Sequence, residues 1–248
     1  MRRFLFGVVL LVLLALSVAG QWALKARRPA SAPMLAEGAF AALGGFRSIA
    51  AEVVWFRADR LQSEGRYVEL AQLASALTFM EPHTPEVWSY AAWNLSYNVS
   101  VMMATPEDRW RWVYAGIRLL RDEGLRYNPA SPEILRELAW MFELKIGANI
   151  DSAAAHYRAR WREIVEDVKA RGAWSELGMD PMKMMSIEQL TGFSDWTDPQ
   201  LSAIYWAAQG NCRDIVQQAA IIYRKSHPER SAATGARILR NFIENEPS

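Results

Sequence analysis

Apolar residues recur at helical spacing along most of the chain after Gly44-Gly45. Two such series are Phe46, Ile49, Val53 and Phe56, and then Leu70, Leu73, Leu77 and Met80. Steps of three and four residues place side chains on one face of an α-helix, whereas no segment alternates as a strand would. The pattern predicts an all-α protein that begins with a helical hairpin, Phe46–Gln62 and Val68–Met80.

Four later helices begin with the same signal, an oxygen-bearing residue followed by proline and then Glu or Gln. The four copies are Thr84-Pro85-Glu86, Thr105-Pro106-Glu107, Ser131-Pro132-Glu133 and Asp198-Pro199-Gln200. The first side chain can cap free amides, and proline is tolerated at the first helical position. We predict helices over Pro85–Val101, Pro106–Tyr127, Pro132–Ile146 and Pro199–Gln209. Three more are predicted over Ser152–Arg171 with Asp151 as its cap, Cys212–Ser226 and Pro228–Asn245.

The stretch 172–196 has a different composition, with three glycines, Pro181 and a cluster of methionines. We predict a long irregular connection with one short helix near Ser186–Leu190. The methionines are expected to fill gaps under this loop. The C-terminal helices of 197–248 are expected to cap the preceding stack, because terminal repeats need a more polar outer side.

The segment from Phe46 to about Arg171 resembles the tetratricopeptide superfamily, with degenerate motifs. Trp55 and Trp88 are 33 residues apart, Gly65 and Tyr67 lie in the first turn, and Pro82 closes the unit. The longer segment from Gly44-Gly45-Phe46-Arg47 to Glu81-Pro82-His83 is similar in sequence to uncharacterised membrane-anchored bacterial repeat proteins. The resemblance implies an α-solenoid, a stack of helical hairpins over 46–171, that binds protein partners.

An uncharged apolar run extends from Phe4 to Leu24, between Arg2-Arg3 and the basic residues Lys25, Arg27 and Arg28. Its 21 residues are enough to cross a hydrocarbon core of about 30 Å. We predict an uncleaved signal anchor over 1–28, followed by a linker over 29–45. The alternative is a cleaved signal peptide, with Ser17 and Ala19 at the spacing that cleavage requires. Because the N-terminal flank is only three residues long, we expect the body on the outer, periplasmic face of the cytoplasmic membrane.

The net charge of +1 hides an uneven distribution. Five basic residues and no acidic ones lie within the first 28 positions, which leaves 23 basic and 27 acidic residues in the rest. A nucleic-acid partner needs a basic surface on the folded body, so we expect none. The eleven tryptophans are expected mainly in the core, as bulky side chains between stacked helices.

The first helices of such repeats line the inner groove in the superfamily that the chain resembles. Polar and aromatic side chains there are the candidate peptide-binding residues: Asn94, Tyr97, Asn98, Arg136 and Trp140. Asn and Arg can bind the backbone or carboxylate of an extended peptide. The alternative is that these residues cap or bridge neighbouring helices. We therefore expect a membrane-anchored, non-enzymatic adaptor or scaffold for protein–protein interaction in a bacterial envelope assembly.

An enzyme acting on envelope polymers is the alternative function, with acidic and aromatic residues such as Asp195, Trp196 and Tyr205. It would need paired carboxylates flanking a cleft. Cys212 and His227 are a weaker candidate pair, as nucleophile and base across a hairpin. The spacing of the three histidines fits no zinc motif, and the sequence contains no glycine-rich phosphate loop. No metal, cofactor or catalytic residue is therefore expected.

Overall fold

Nine helices longer than two turns, and no strand, lie within residues 46–228, the part of the chain that the computed structural model describes. For these residues the all-α prediction is confirmed. The helices are α1 Phe46–Ser63, α2 Tyr67–Met80, α3 Pro85–Trp93, α4 Pro106–Arg118, α5 Pro132–Trp140, α6 Ala154–Arg171, α7 Pro181–Thr191, α8 Pro199–Gln209 and α9 Arg213–Ser226.

Three helices continue past their α-helical part through a π-helical segment. The α3 extension is Asn94–Val99, followed by a 3-10 turn over Ser100–Met102. The α4 extension is Leu119–Gly124, followed by a last helical turn over Leu125–Tyr127, and the α5 extension is Met141–Gly147. The predicted lengths of these helices therefore hold, while their winding changes near the end. Segments of π-helix are rare and are found frequently at functional sites.

The helix starts marked by proline are confirmed, and most of the caps form. The side chains of Thr105, Ser131 and Asp198 each accept a hydrogen bond from a backbone N–H of the first turn. Thr84 makes no such bond. The start of α6 differs from the prediction, because the helix begins at Ala154, and Asp151 instead accepts the N–H of Ala153 at 2.9 Å.

The connection predicted as irregular contains a full helix, α7, preceded by a 3-10 turn over Trp174–Leu177. The start of α7 carries the same signal as the other helices, since the Asp180 side chain caps Met182 N–H ahead of Pro181. The cap and the proline outweigh the weak helical pattern of the methionine cluster. Met184 is buried as a core residue, whereas Met182 is exposed, so only part of the cluster fills gaps.

The chain divides into one compact unit that ends at Glu64 and a second that begins at Gly65. The described part of the first unit is α1, where the predicted apolar face is exposed at Val53 and Phe56. In the second unit α3 packs against α2, α4 and α5, and α5 packs against α8. The helices α4 and α6 contact each other in a second layer. At the C-terminal side, α8 packs against α9.

The core of the second unit is built from large aromatic side chains. Trp88, Trp161, Tyr157, Tyr205, Tyr223 and Phe142 are among the largest fully buried residues. This agrees with the expectation that the tryptophans serve packing. Within residues 51–228, Trp93 and Trp140 are the two tryptophans whose side chains are exposed. Their exposure sets α3 and α5 apart from the other helices.

Several predicted segments lie outside the described residues. They are the anchor Phe4–Leu24, the linker over 29–45 and the C-terminal helix from Glu229 onward. Within the part that is described, every helix is too short or too polar to cross a bilayer.

Candidate functional site

The two exposed tryptophans end the α-helical parts of two helices that pack side by side, α3 and α5. Trp93 is 40% exposed and stacks on Tyr97 of the α3 extension, with 5.6 Å between the ring centroids. Trp140 is 46% exposed. Aromatic side chains, tryptophan among them, are enriched at protein interfaces relative to the rest of the surface.

Arg136 lies one helical turn before Trp140, so both side chains point from the same face of α5. The Arg136 guanidinium forms an ion pair with Asp214 of α9, with 2.9 Å between Nη2 and Oδ2. Both partners of this pair are more than half exposed, so the pair contributes little to stability. It holds the Arg136 side chain toward α9.

Two glutamates lie close to Trp140 in the sequence. Glu137 lies three residues before it on α5, and Glu143 lies three residues after it, buried in the α5 extension. Burial raises the pKa of Glu137 to about 7. Burial, together with the charge of Asp214, raises the pKa of Glu143 to about 7 as well. Near neutral pH these two acids are therefore poised between the neutral and the ionised form.

Tyr97 connects the two glutamates electrostatically. Burial first, and then the charges of Glu137 and Glu143, raise the pKa of the Tyr97 hydroxyl above its ordinary value. The Tyr97 ring also faces the ammonium of Lys145, 5.1 Å from the ring centroid. We call the set Trp93, Tyr97, Glu137, Trp140 and Glu143 the Trp140 surface.

A buried ion pair fixes the α5 extension beneath this surface. The Lys145 ammonium lies 2.6 Å from Asp151, and each side chain is at most 5% exposed. Asp151 also accepts a hydrogen bond from the Tyr157 hydroxyl at 3.2 Å and lies 3.6 Å from Arg109. Burial by itself raises the pKa of Asp151, but bonds from Lys145 and the Ala153 N–H, with the Lys145 charge, hold that pKa below its ordinary value.

The five residues predicted to form a groove have different positions. Arg136 and Trp140 are exposed on α5, and Tyr97 is half-buried beside them. Asn94 corrects the prediction, because its side chain is completely buried and donates to the Tyr67 carbonyl at 3.3 Å. Asn98 donates to the Asn94 side chain at 3.0 Å. Asn94 thus bridges the α3 extension to α2, which was the alternative for these positions, whereas Asn98 bonds within its own helix.

Sequence reasoning missed Glu137 and Glu143. The available signal was their spacing, with one acid three residues on each side of a tryptophan. Their raised pKa values come first from burial, which a local sequence pattern does not show.

The predicted chemical alternatives have structural roles. Cys212 and His227 lie at opposite ends of α9, about 20 Å apart at 1.5 Å per residue, so they do not form a nucleophile–base pair. Trp196 is buried and donates to Glu188 at 2.6 Å, while the Tyr205 hydroxyl accepts the N–H of Asp180 at 2.8 Å. Asp195 accepts from the backbone and hydroxyl of Thr197.

The remaining histidines make interhelical contacts. His83 contacts the Tyr127 carbonyl through Nδ1 at 3.0 Å, and His156 contacts Glu107 through Nε2 at 3.1 Å. Across residues 46–228 no group of three or more His, Cys, Asp and Glu side chains is placed to hold a metal ion. No protein-family model, curated protein or solved structure matches the chain.

Proposed function

We propose that the protein is a membrane-anchored, non-enzymatic adaptor that presents the Trp140 surface to a segment of a protein partner in a bacterial envelope assembly. The observation that carries the proposal is the exposure of Trp93 and Trp140 on adjacent helices, while the other tryptophans of residues 51–228 are buried or half-buried. Tryptophan is enriched among the residues that dominate binding energy at protein interfaces.

The packing order supports a repeat-like body. The first helices of successive hairpins, α3, α5 and then α8, pack in a row, and α4 packs against α6 in a second row. This is the arrangement expected of stacked helical hairpins, in which each unit contacts its neighbours. It supports a tetratricopeptide-like solenoid, in which α3 and α5 supply the inner face.

The length and flanks of Phe4–Leu24 support the proposed membrane attachment. Protease treatment of intact spheroplasts, compared with lysed ones, tests the orientation. We expect the body to be digested in intact spheroplasts, because it lies on the outer face. A body that resists digestion until lysis would reverse the proposed topology.

Site-specific photocrosslinking in the source membrane tests the adaptor role. A photoreactive phenylalanine derivative, which keeps an aromatic ring at the position, replaces Trp140 in the full chain and, in a matched control, the exposed Ile221 of α9. We expect a discrete crosslinked protein from position 140, identified by mass spectrometry and competed by the untagged wild-type chain. Crosslinks of equal identity and yield from both positions would show nonspecific contact and would overturn the proposal.

A second arm separates binding from folding. Trp140→Ala removes an exposed side chain, so the thermal midpoint should change little, because such substitutions usually alter stability by less than about 0.5 kcal/mol. Loss of the partner with an unchanged midpoint supports the adaptor role. Retention of the partner by Trp140→Ala would place the binding surface elsewhere.

A further inference from the structure

Helix α7 presents an uncharged, largely apolar face to solvent. Met182 is 66% exposed and Met185 is 46% exposed, and Leu190 is also exposed. Ser186 and Gln189 lie on the same side of the helix. The Ser186 hydroxyl donates to the Met182 carbonyl, so its hydrogen bond is made within the helix. We call these five residues the open face of α7.

The opposite side of α7 fixes the helix in the second unit. Met184 and Ile187 are buried in its hydrophobic core. On the flanks of α7, Lys183 donates to the Gln209 side chain at 2.6 Å, and the Trp196 indole donates to Glu188 at 2.6 Å. These contacts hold α7 in the orientation that exposes Met182 and Met185.

The end of α9 lies beside the C-terminal end of α7. The Tyr223 ring of α9 stacks on Phe193, two residues after α7, with 4.3 Å between the ring centroids. The Tyr223 hydroxyl accepts the N–H of Asp195 at 3.1 Å, and His227 Nε2 lies 3.3 Å from the Asp195 carboxylate. The last turn of α9 is therefore held against the segment that follows α7.

The chain leaves α9 at this point. His227 has φ −129° and ψ 63°, which lie outside the helical region, and Pro228 follows it. A residue before proline disfavours the helical conformation, and proline cannot donate a helical hydrogen bond. The remaining chain, residues 229–248, is therefore free to take a direction different from that of α9.

The sequence of this C-terminal segment predicts an amphipathic helix. Its apolar stripe consists of Ile238, Leu239, Phe242 and Ile243. The residues on the opposite side are polar or charged, and they are Arg237, Arg240, Asn241 and Glu244. A helix with such a stripe needs an apolar surface to pack against.

Of the two helices that meet at this end of the described chain, α7 offers the apolar surface. The exposed side of α9 is mainly polar, with Gln217, Gln218 and Lys225 around the apolar Ile221. The length also fits, because eight residues of α7, from Met182 to Leu190, span about 12 Å, and a helix from Pro228 to Ile238 would span about 15 Å.

We propose that the open face of α7 is the docking site of the chain's own C-terminal segment, in which a helix over 232–243 packs its apolar stripe on Met182 and Met185. Methionine suits such a contact, because its flexible side chain adapts to the shape of the partner. The docked helix runs back along α7 from the end of α9. The docking site is distinct from the Trp140 surface and does not depend on the adaptor role.

Methionine oxidation of the full chain, in a detergent-free cell extract that includes the membranes, tests the docking. Hydrogen peroxide converts accessible methionines to sulfoxides, which peptide mass spectrometry locates. The exposed Met102 is the open reference, and the buried Met184 is the protected reference. We expect Met182 and Met185 to react at least about fivefold more slowly than Met102, because the docked helix shields them. Equal rates for these three residues would overturn the proposal.

Two variants test whether the C-terminal segment is the cover. Phe242→Asp places a charge in the apolar stripe and should raise the oxidation of Met182 and Met185 to the rate of Met102. Asn241→Asp adds the same charge on the polar side and should leave both residues protected. Slow oxidation of Met184 in each variant shows that the core is intact. Protection that persists in Phe242→Asp would mean that something else covers α7, and the proposal would be wrong.

Disulfide formation distinguishes the chain's own segment from that of a second copy. Met185→Cys and Phe242→Cys are combined in a Cys212→Ser chain, which removes the native cysteine. We expect a crosslink within one chain. The control combines Phe242→Cys with Gln218→Cys on the exposed side of α9 and should crosslink more slowly. A crosslinked dimer as the main product would show that a second copy supplies the segment, which would contradict docking within one chain.

Discussion

The Lys145 ammonium and the Asp151 carboxylate lie 2.6 Å apart, and both side chains are buried. The pair joins the α5 extension to the loop that precedes α6, and the Tyr157 hydroxyl bonds to the same carboxylate. Because the α5 extension also carries Glu143, this pair positions one side of the Trp140 surface. The same atoms that stabilise the fold therefore hold the candidate site in place.

Replacement of one partner of this pair should be strongly destabilising. In Lys145→Met the buried Asp151 keeps only the more distant Arg109 as a cation, so we expect a loss of about 3 kcal/mol in unfolding free energy. Urea denaturation measures it. The control is Arg171→Met, which removes two exposed pairs, with Glu176 at the same 2.6 Å and with Asp167 at 2.7 Å, and should have a much smaller effect. Equal effects would show that burial does not strengthen the Lys145 pair.

The same pair should also determine how the protein responds to acid. The pKa of Asp151 is lowered in the folded state, so its stabilisation is present above the unfolded value of about 3.9 and is lost as the pH falls through the folded value. Wild-type protein should lose stability in this acid range. Lys145→Met should show a smaller loss there, in chemical denaturation measured from pH 5 downward.

The raised pKa values of Glu137 and Glu143 change the unfolding free energy with pH in the opposite direction. Between the unfolded pKa of about 4.3 and the folded value of about 7, the folded chain binds more protons than the unfolded chain. Unfolding free energy should therefore fall as the pH rises through this window. Glu143→Gln removes the buried charge and should be more stable than wild type at pH 8, by on the order of 1 to 3 kcal/mol, and nearly equal at pH 5.

Denaturation of the wild type and of Glu143→Gln at pH 5, 6, 7 and 8 checks this sign. Glu123→Gln, an exposed acid, should follow the wild-type curve. A Glu143→Gln variant that is less stable at pH 8 would mean that the carboxylate has a stabilising partner. Greater stability at pH 8 would show that the ionised carboxylate is buried at a cost in stability.

Close approach of α3 and α4 depends on Gly116. A Cβ atom at this position would lie 2.1 Å from the Ser96 hydroxyl oxygen and 2.8 Å from the Ala92 carbonyl oxygen. Gly116→Ala should therefore destabilise by about 1 to 3 kcal/mol, despite the better helix propensity of alanine. In Gly124→Ala the nearest atom is 3.3 Å away, so its thermal midpoint should fall less. Equal shifts would contradict the close-packing argument.

The cap of α7 gives a smaller, local effect. The Asp180 carboxylate accepts the Met182 N–H at 2.9 Å, so Asp180→Ala should cost about 1 kcal/mol in unfolding free energy. Asp180→Asn keeps an accepting oxygen and should recover most of this loss, as measured by thermal unfolding. A full loss in the asparagine variant would show that charge, rather than the cap bond, stabilises the start of α7.

The sequence by itself determined the all-α class and the positions of most helices in the described part of the chain. Helix starts such as Pro132 and Pro199 are encoded within one turn, by a capping side chain and a proline that fixes the backbone. The same local signal was present at Asp180-Pro181, where the surrounding methionines and glycines concealed a helix that the structure contains. Such helix starts can be predicted from the sequence because the interacting atoms belong to residues that are neighbours in the chain.

The tertiary structure alone decided which side chains are available to a partner. Asn94 and Trp93 are adjacent in sequence, yet the first is buried against the Tyr67 carbonyl and the second is exposed. The pKa of Glu143 is raised because the surrounding helices bury this residue and place Asp214 near it. Burial and desolvation are set by residues that are distant in sequence, since α3, α8 and α9 pack around α5 or its extension.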